Sequence, residues 1–368
     1  MSLKIKLTII LFIIFSALAL GVVGVYAVLD VDFVINGDIV YKVPIKDETQ
    51  YNQFVFTYDT ENFTASVAAS STDLSGEIEI PAKVMYENEV YTVNAISTSG
   101  FSQTQITKVI LPDTITTLNS SAFRNCQQLE SINLPSGITK IPDYCFLGCL
   151  ALKSIDLSNI KTMGLSAFSN CQQLESINLP SAITEIPNGC FYTCLNLKSI
   201  DLSHIKTIGA SAFASTGITD LVIPANVTTI YQAAFGASGL KSLKILGNPT
   251  WANSNTSVTK GESCFGRCEL LESVDLGESL TIIPKACFAN CTSLTEITIP
   301  ASMTSIGTQA FANCTALTKV DMQATPAIKI QTNSIPLNAG LQIYVNSTYL
   351  SAFKSVYSYY KNYFVAKS

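Results

Sequence analysis

The chain has a single histidine, His204, and a single tryptophan, Trp251, among its 368 residues. One histidine confines imidazole chemistry to one place, and no Gly-x-Ser-x-Gly nucleophile motif accompanies it, so a hydrolase triad has no support. Charge is equally scarce. Asp, Glu, Lys and Arg together make up 13% and the formal net charge is -5, which leaves no basic patch for a phosphate backbone and gives no reason to expect a nucleic-acid partner. What is abundant is apolar material, 48% of the chain, enough for a large buried core.

Part of it lies at the start. Lys4 and Lys6 precede an uncharged apolar run from Leu7 to Leu29 that ends just before Asp30. This is the pattern of an export segment, and Val25-Tyr26-Ala27 fits the small-residue rule before a signal-peptidase cut. The run is also long enough to cross a bilayer. Residues 1–29 therefore read as a signal peptide or a signal anchor. Both put the rest outside the cytoplasm, either secreted or anchored at the cell surface, with membrane contact only through this segment if it stays uncut.

Residues 30–95 are rich in Val, Ile, Tyr, Phe and Thr and read as an N-terminal β region and cap, with Asn36-Gly37 as a hairpin turn and the serine-rich stretch Ser66 to Ser75 as a loop. Then a phenylalanine begins to recur: Phe101, Phe123, Phe146, Phe168, Phe191, Phe213, Phe235, Phe265, Phe288 and Phe311. The steps are 22, 23, 22, 23, 22, 22, 30, 23 and 23 residues. Each Phe sits in a block such as Ala122-Phe123-Arg124-Asn125-Cys126, followed at fixed offsets by Leu129, Ile132, Leu134, Pro135, Ile138 and Ile141. A unit this small cannot bury its own apolar side, so stacking into a solenoid is the economical solution. Burying six or seven side chains per coil, at about 1.5 to 3 kcal/mol each, can offset the ordering entropy of one turn of chain. The expected architecture is a right-handed β-solenoid of about ten coils over residues 96–325, closed by a C-terminal cap over 326–368.

Within a coil, Ile132 and Leu134 stand two apart and face one side of a short strand, which Pro135 ends for want of an N–H. Pro112, Pro180, Pro224 and Pro300 stand in the same place. A deeper repeat is present too, because Ser121 to Met163 matches Ser166 to Ile208 across 45 residues, the mark of a duplicated two-coil unit. Like positions should form columns up the stack. Glu130, Lys153, Glu175 and Lys198 alternate in sign and should pair between coils, and beside them run Asn133, Asp156, Asn178 and Asp201.

Leu129-Glu130-Ser131-Ile132-Asn133-Leu134-Pro135, Ala122-Phe123-Arg124-Asn125-Cys126 and Ile306-Gly307-Thr308-Gln309-Ala310-Phe311-Ala312-Asn313-Cys314 carry a resemblance to the BspA-like leucine-rich repeat surface proteins. Ile78-Glu79-Ile80-Pro81 resembles that family's entry into its first coil, and Ile343-Tyr344-Val345 with Phe353 its C-terminal cap. The resemblance implies a leucine-rich-repeat-type solenoid at the cell surface or secreted, used in adhesion. It implies a protein or glycan ligand on host or neighbouring cells, and it brings no catalytic residues, no metal and no cofactor. The alternative class is a carbohydrate-binding or carbohydrate-active β-solenoid, which would need carboxylates breaking the repeat at one place in a cleft.

Eleven cysteines in an exported chain ordinarily suggest disulfides. Their columns argue for packing instead. The position three after each Phe holds Cys126, Cys149, Cys171 and Cys194, then Thr216 and Ser238, then Cys268, Cys291 and Cys314. The position before each Phe alternates cysteine with alanine, so both accept any small side chain, and the spacing is not a zinc pattern. Two features remain as a candidate binding surface: the column Asn133, Asp156, Asn178 and Asp201, suited either to a cation or sugar hydroxyls or only to a solvated strand face, and Trp251 in the extended step, placed there either as an exposed anchor or tucked against the coil edge.

Overall fold

The structure is a computed structural model that describes residue 46, residues 48–252 and residues 263–367. The apolar run from Leu7 to Leu29 and the Asn36-Gly37 turn lie outside the described residues. Among the described residues no helix is long and apolar enough to cross a membrane.

The ten phenylalanines form one column. From Phe101 to Phe311 their rings stack at centroid spacings of 5.3 to 5.7 Å and interplanar angles of 4 to 15°, and all are fully buried. A fixed backbone shape holds each ring: the residues two before and two after every Phe occupy the left-handed region, as with Ser121 (φ 60°) and Asn125 (φ 58°) around Phe123. Asn and Gly suit that region, whereas Tyr144 (φ 59°) and Thr193 (φ 60°) are held there only because the rest of the block determines it. The N–H of each Phe donates to the carbonyl of the residue just before the next one, as in Phe123 to Cys145 and Phe168 to Cys190, both 2.9 Å. This Phe ladder runs without interruption from Phe101 to Phe311.

The thiols complete it. Cys126, Cys149, Cys171 and Cys194 donate to the carbonyls of Phe101, Phe123, Phe146 and Phe168 in the preceding coil at 2.9 to 3.2 Å. Where the column changes residue, the hydroxyl of Thr216 or Ser238 donates to Phe213 or Phe235 of its own coil. The column thus prefers a small donor and not merely a small side chain, because a buried carbonyl without a partner is costly. All eleven cysteines are free and buried.

Two further ladders form the other faces, and they are discontinuous. The first contains the strand after each Phe block. It runs through Ser75–Glu79, Gln105–Ile110 and Ser131–Ile132, resumes with Asp220–Ile223, Ser242–Ile245 and Ser273–Asp275, and resumes again with Glu296–Ile299, Lys319–Met322, Gln342–Asn346 and Phe364–Lys367. Each failed step follows an Asn-Leu or Asp-Leu pair: Asn133-Leu134, Asp156-Leu157, Asn178-Leu179, Asp201-Leu202 and Asp275-Leu276. Asn and Asp are poor strand formers whose side chains compete for backbone partners. Asp156, Asp201 and Asp275 each accept the N–H two residues on, and Asn133 takes both the N–H and the C=O of Leu111.

The second ladder contains the return strands, and proline decides its breaks. Its closed steps place an N–H after the inward residue, as in Gly164 to Ile141 O and Gly209 to Ile186 O, both 2.8 Å, and Gly307 to Ile283 O, 2.8 Å. Pro142, Pro187 and Pro284 hold that position in three coils, and those strands leave their predecessors unpaired: Lys140–Ile141 from Thr117–Leu118, Glu185–Ile186 from Thr162–Met163, and Ile282–Ile283 from Thr250–Ala252. The duplicated unit therefore has a structural form, in which a proline coil and a glycine coil join closely and an open step precedes the pair. Glycine is required in the second coil because a Cβ on Gly209 would lie 2.6 Å from the Asn188 backbone N.

At the N-terminal end, Phe54–Asp59 and Thr64–Ala69 form an antiparallel hairpin, and Thr64–Ala69 pairs in parallel with Glu89–Ile96, which leads into the second ladder through Thr117–Leu118. The expected loop from Ser66 to Ser75 is thus corrected at its start, where Ala65 and Val67 alternate into the core and keep the strand going to Ala69. At the other end the helix Leu350–Val356 buries Phe353 between the last two strands.

Candidate functional site

The column Asn133, Asp156, Asn178 and Asp201 lies along the longest open stretch of the first ladder, between the strands Ser131–Ile132 and Asp220–Ile223. All four are exposed. Three are partly committed to their own chain. Asn133 brackets Leu111 at 2.7 and 2.8 Å, and Asp156 accepts from the Ser158 N–H at 2.9 Å. Asp201 accepts from both the N–H and the hydroxyl of Ser203, which hold its carboxyl below the usual carboxylate range. The Asn178 amide makes no hydrogen bond among the described residues. It borders a shallow hollow of about 220 Å³ with Ile177, Leu179, Ile200 and Asp201.

The expected pairing of Glu130, Lys153, Glu175 and Lys198 is corrected. No ion pair joins them among the described residues, and Lys198 donates to the carbonyl of Leu195 instead. Lys108 with Glu77, Lys244 with Asp275 and Lys319 with Glu296 do pair, at 3.2, 2.9 and 2.8 Å, and each of these joins two strands that are hydrogen-bonded to one another. Cross-strand pairs need a closed ladder to set their distance. The open stretch thus carries both signs of charge beside an Asn/Asp column, with side chains uncommitted to one another.

A larger hollow of about 640 Å³ opens in the second ladder at Pro187, between Lys161, Thr162 and Met163 on one lip and Thr184, Glu185 and Ile186 on the other, with Tyr231 at one end. It takes in the proline step and runs on along the ladder past Thr207 and Gly209.

Trp251 is not an exposed anchor. Its side chain is buried, its ring meets Phe265 edge-on at 6.5 Å, and its indole N–H donates to the carbonyl of Ile282 at 3.0 Å. The indole thereby bridges the step that Pro284 leaves open. Residues 253 to 255 of the extended step lie outside the described residues.

The Ser203 hydroxyl donates to Asp201 at 3.1 Å and meets His204 Nδ1 at 3.4 Å, so its proton is directed at the carboxylate and not at the imidazole, the reverse of a nucleophile pair. His204 itself is half-buried. Burial pushes the thiols up, Cys126 to about 11 and Cys194 and Cys264 to about 12, away from the reactive thiolate. No group of three or more His, Cys, Asp or Glu among the described residues is arranged to hold a metal ion.

The open ladder stretch, the proline steps and the positions of Trp251 and Asn133 follow from hydrogen bonds that residue type alone leaves ambiguous. One signal was present: proline or glycine alternating after the inward residue, at Pro142, Gly164, Pro187 and Gly209.

Comparison with known proteins agrees with the repeat geometry. A model of the BspA type leucine rich repeat region matches residues 94–205, 139–256 and 206–336, with six copies. No curated protein matches the chain. Among solved structures, a leucine-rich repeat protein from Bacteroides ovatus ATCC 8483 shares 22% identity with a TM-score of 0.48, covering 86% of this chain and 98% of its own. A leucine rich cell surface protein from Faecalibacterium prausnitzii A2-165 shares 23% identity with a TM-score of 0.49, covering 79% of this chain and 92% of its own.

Proposed function

Since the chain belongs to the BspA-type leucine-rich repeat family, we propose that it is a non-catalytic interaction protein, secreted or held at the cell surface by its N-terminal segment, that captures a protein or glycan on host or neighbouring cells. The apolar run from Leu7 to Leu29 behind Lys4 and Lys6 supports the location. The observation that carries the activity is the open stretch from Asn133 to Asp201. There the ladder is unpaired, the exposed Asn178 amide makes no hydrogen bond among the described residues, and Glu130, Lys153, Glu175 and Lys198 present charges not paired with one another. Such a face is broad and shallow, which suits a partner that spreads its contacts over many groups.

The same face favours this reading over a carbohydrate-active enzyme. Its carboxylates follow the repeat and do not converge on one cleft, as bond cleavage between sugars would need. Binding without turnover is the outcome expected on a polysaccharide panel.

The test is capture by residues 28–368 from extracellular-matrix and cell-surface fractions, repeated with the variant Asp156→Asn, Asn178→Lys, Asp201→Asn. A saturable ligand lost in the variant at unchanged melting supports the reading. Capture that survives the triple change moves the site elsewhere, and absence of any saturable ligand leaves a purely structural coat.

A further inference from the structure

Three faces can hold a step of the solenoid: the Phe ladder, the first ladder and the second. Among the described residues, one step lacks ladder pairing on two of them. Between the coil of Met163 and the coil of Ile186 the second ladder is interrupted by Pro187, and the first is interrupted after Asp156. At the other proline steps the first ladder is closed, Gln105–Ile110 pairing with Ser131–Ile132 and Ser242–Ile245 with Ser273–Asp275. At the other open steps of the first ladder the second is closed, as between Glu185–Ile186 and Thr207–Ile208.

What remains at the doubly open step is distributed unevenly. The Phe side keeps Ser166 N to Asn188 O at 3.0 Å, Phe168 N to Cys190 O at 2.9 Å and Asn170 N to Tyr192 O at 2.6 Å. The first face keeps two isolated bonds, Gln173 N to Leu150 O and Glu175 N to Lys153 O, at 3.1 and 3.2 Å. On the second face no backbone bond joins Thr184 to Lys161, although Lys206 N reaches Thr184 O at 2.7 Å one coil later. The Phe168 and Phe191 rings stand 5.7 Å apart, the widest of the nine ring spacings, and the hollow of about 640 Å³ that runs on to Tyr231 begins at this step.

An inserted strand from a partner is ruled out as the purpose of this gap. It would push the flanking strands to about 9.6 Å, twice the strand spacing, and the ring column would part with them. The gap is a wedge, closed at the Phe side and open at the other two.

The geometry points to a hinge: the solenoid bends at the step between Met163 and Ile186, pivoting on the Phe ladder, with Pro187 keeping the jaw from locking. The segments on either side move as units, because hydrogen-bonded ladders resist opening and the missing bonds set where the chain yields. The Asn/Asp column straddles the hinge, with Asp156 on one side and Asn178 on the other, so bending changes the spacing of that surface whatever binds there.

Nitroxide pairs placed three coil steps apart test this. Lys140→Cys with Thr207→Cys crosses the Pro187 step, and Glu185→Cys with Thr250→Cys spans only steps at which the second ladder is closed. The native thiols, at most 1% exposed, stay unlabelled. The distance distribution of the first pair is expected to be about twofold or more broader than that of the second. Pro187→Gly, which supplies the N–H that Gly164 and Gly209 provide in their coils, should narrow it to the control width. Equal widths in the two wild-type pairs overturn the hinge, as does an unchanged width in folded Pro187→Gly. Should that variant not fold, the wild-type comparison decides alone.

Discussion

The backbone N–H of Gly209 donates to the carbonyl of Ile186 at 2.8 Å, and one coil earlier Pro187 holds the same place against Met163 with no N–H to offer. The glycine is close-fitted as well, since a Cβ there would meet the Asn188 backbone N at 2.6 Å and its Oδ1 at 2.7 Å. Gly209→Ala should therefore cost about 2 kcal/mol, through a backbone shift that also strains the hydrogen bond from the Ala210 N–H to Asn188 Oδ1. Urea unfolding measures it. A loss too small to resolve would mean that the two coils are less tightly joined than their hydrogen bonds imply.

Trp251 closes with its side chain a step that proline opens in the backbone. Trp251→Phe keeps much of the ring and removes the N–H that reaches Ile282 O, so about 1 to 3 kcal/mol of stability should be lost. Thermal unfolding of the two proteins reads this directly, and equal midpoints would show the indole bond to be idle.

The thiol columns make the fold sensitive to alkali. Burial raises Cys126 to about 11 and Cys194 and Cys264 to about 12, against 9.0 for a free thiol. Above about pH 9 the unfolded chain releases thiol protons that the folded chain retains, so it binds fewer protons and stability falls as pH rises. Each such thiol contributes a slope of about 1.4 kcal/mol per pH unit until its folded value is reached. Unfolding free energies at about pH 8 and about pH 10 should differ by several kcal/mol, and a flat profile would contradict the burial of the columns.

Thr193 sits at φ 60° two residues after Phe191, in the place Gly148 takes 45 residues earlier in the duplicated unit. A β-branched residue is strained in that region, and glycine is not, although glycine gives up more backbone entropy on folding. Thr193→Gly should stabilise by about 0.5 to 1 kcal/mol, seen as a higher urea midpoint. A lower midpoint would show that the threonine contacts outweigh the backbone strain.

How much of this was legible in the residues differs by element. The Phe period predicts the ring column because ten equivalent apolar side chains at a fixed interval have one economical arrangement, and the stacked rings from Phe101 to Phe311 bear this out. The charge alternation from Glu130 to Lys198 was visible but misleading, since pairing depends on strand separation, and that depends on whether Asn133, Asp156 and Asn178 let the ladder close. Trp251 stood beside an insertion, where exposed and tucked positions are equally consistent with its neighbours, and only the free carbonyl of Ile282 distinguishes them. The strained conformations at Tyr144 and Thr193 are signalled only by Gly189 and Gly148 at the matching places 45 residues away, because the surrounding block and not the residue itself imposes them.

The pairing of a proline coil with a glycine coil limits how such a chain changes length. Loss or gain of one coil between Ile141 and Ile208 would set proline against proline, or glycine against a neighbour lacking the Asp143 or Asn188 shelf it fits over. Recombination that adds or removes the full 45 residues preserves every junction. Length variants of this stretch should therefore differ by whole pairs, and the reach of the molecule would be adjustable only in increments of two turns.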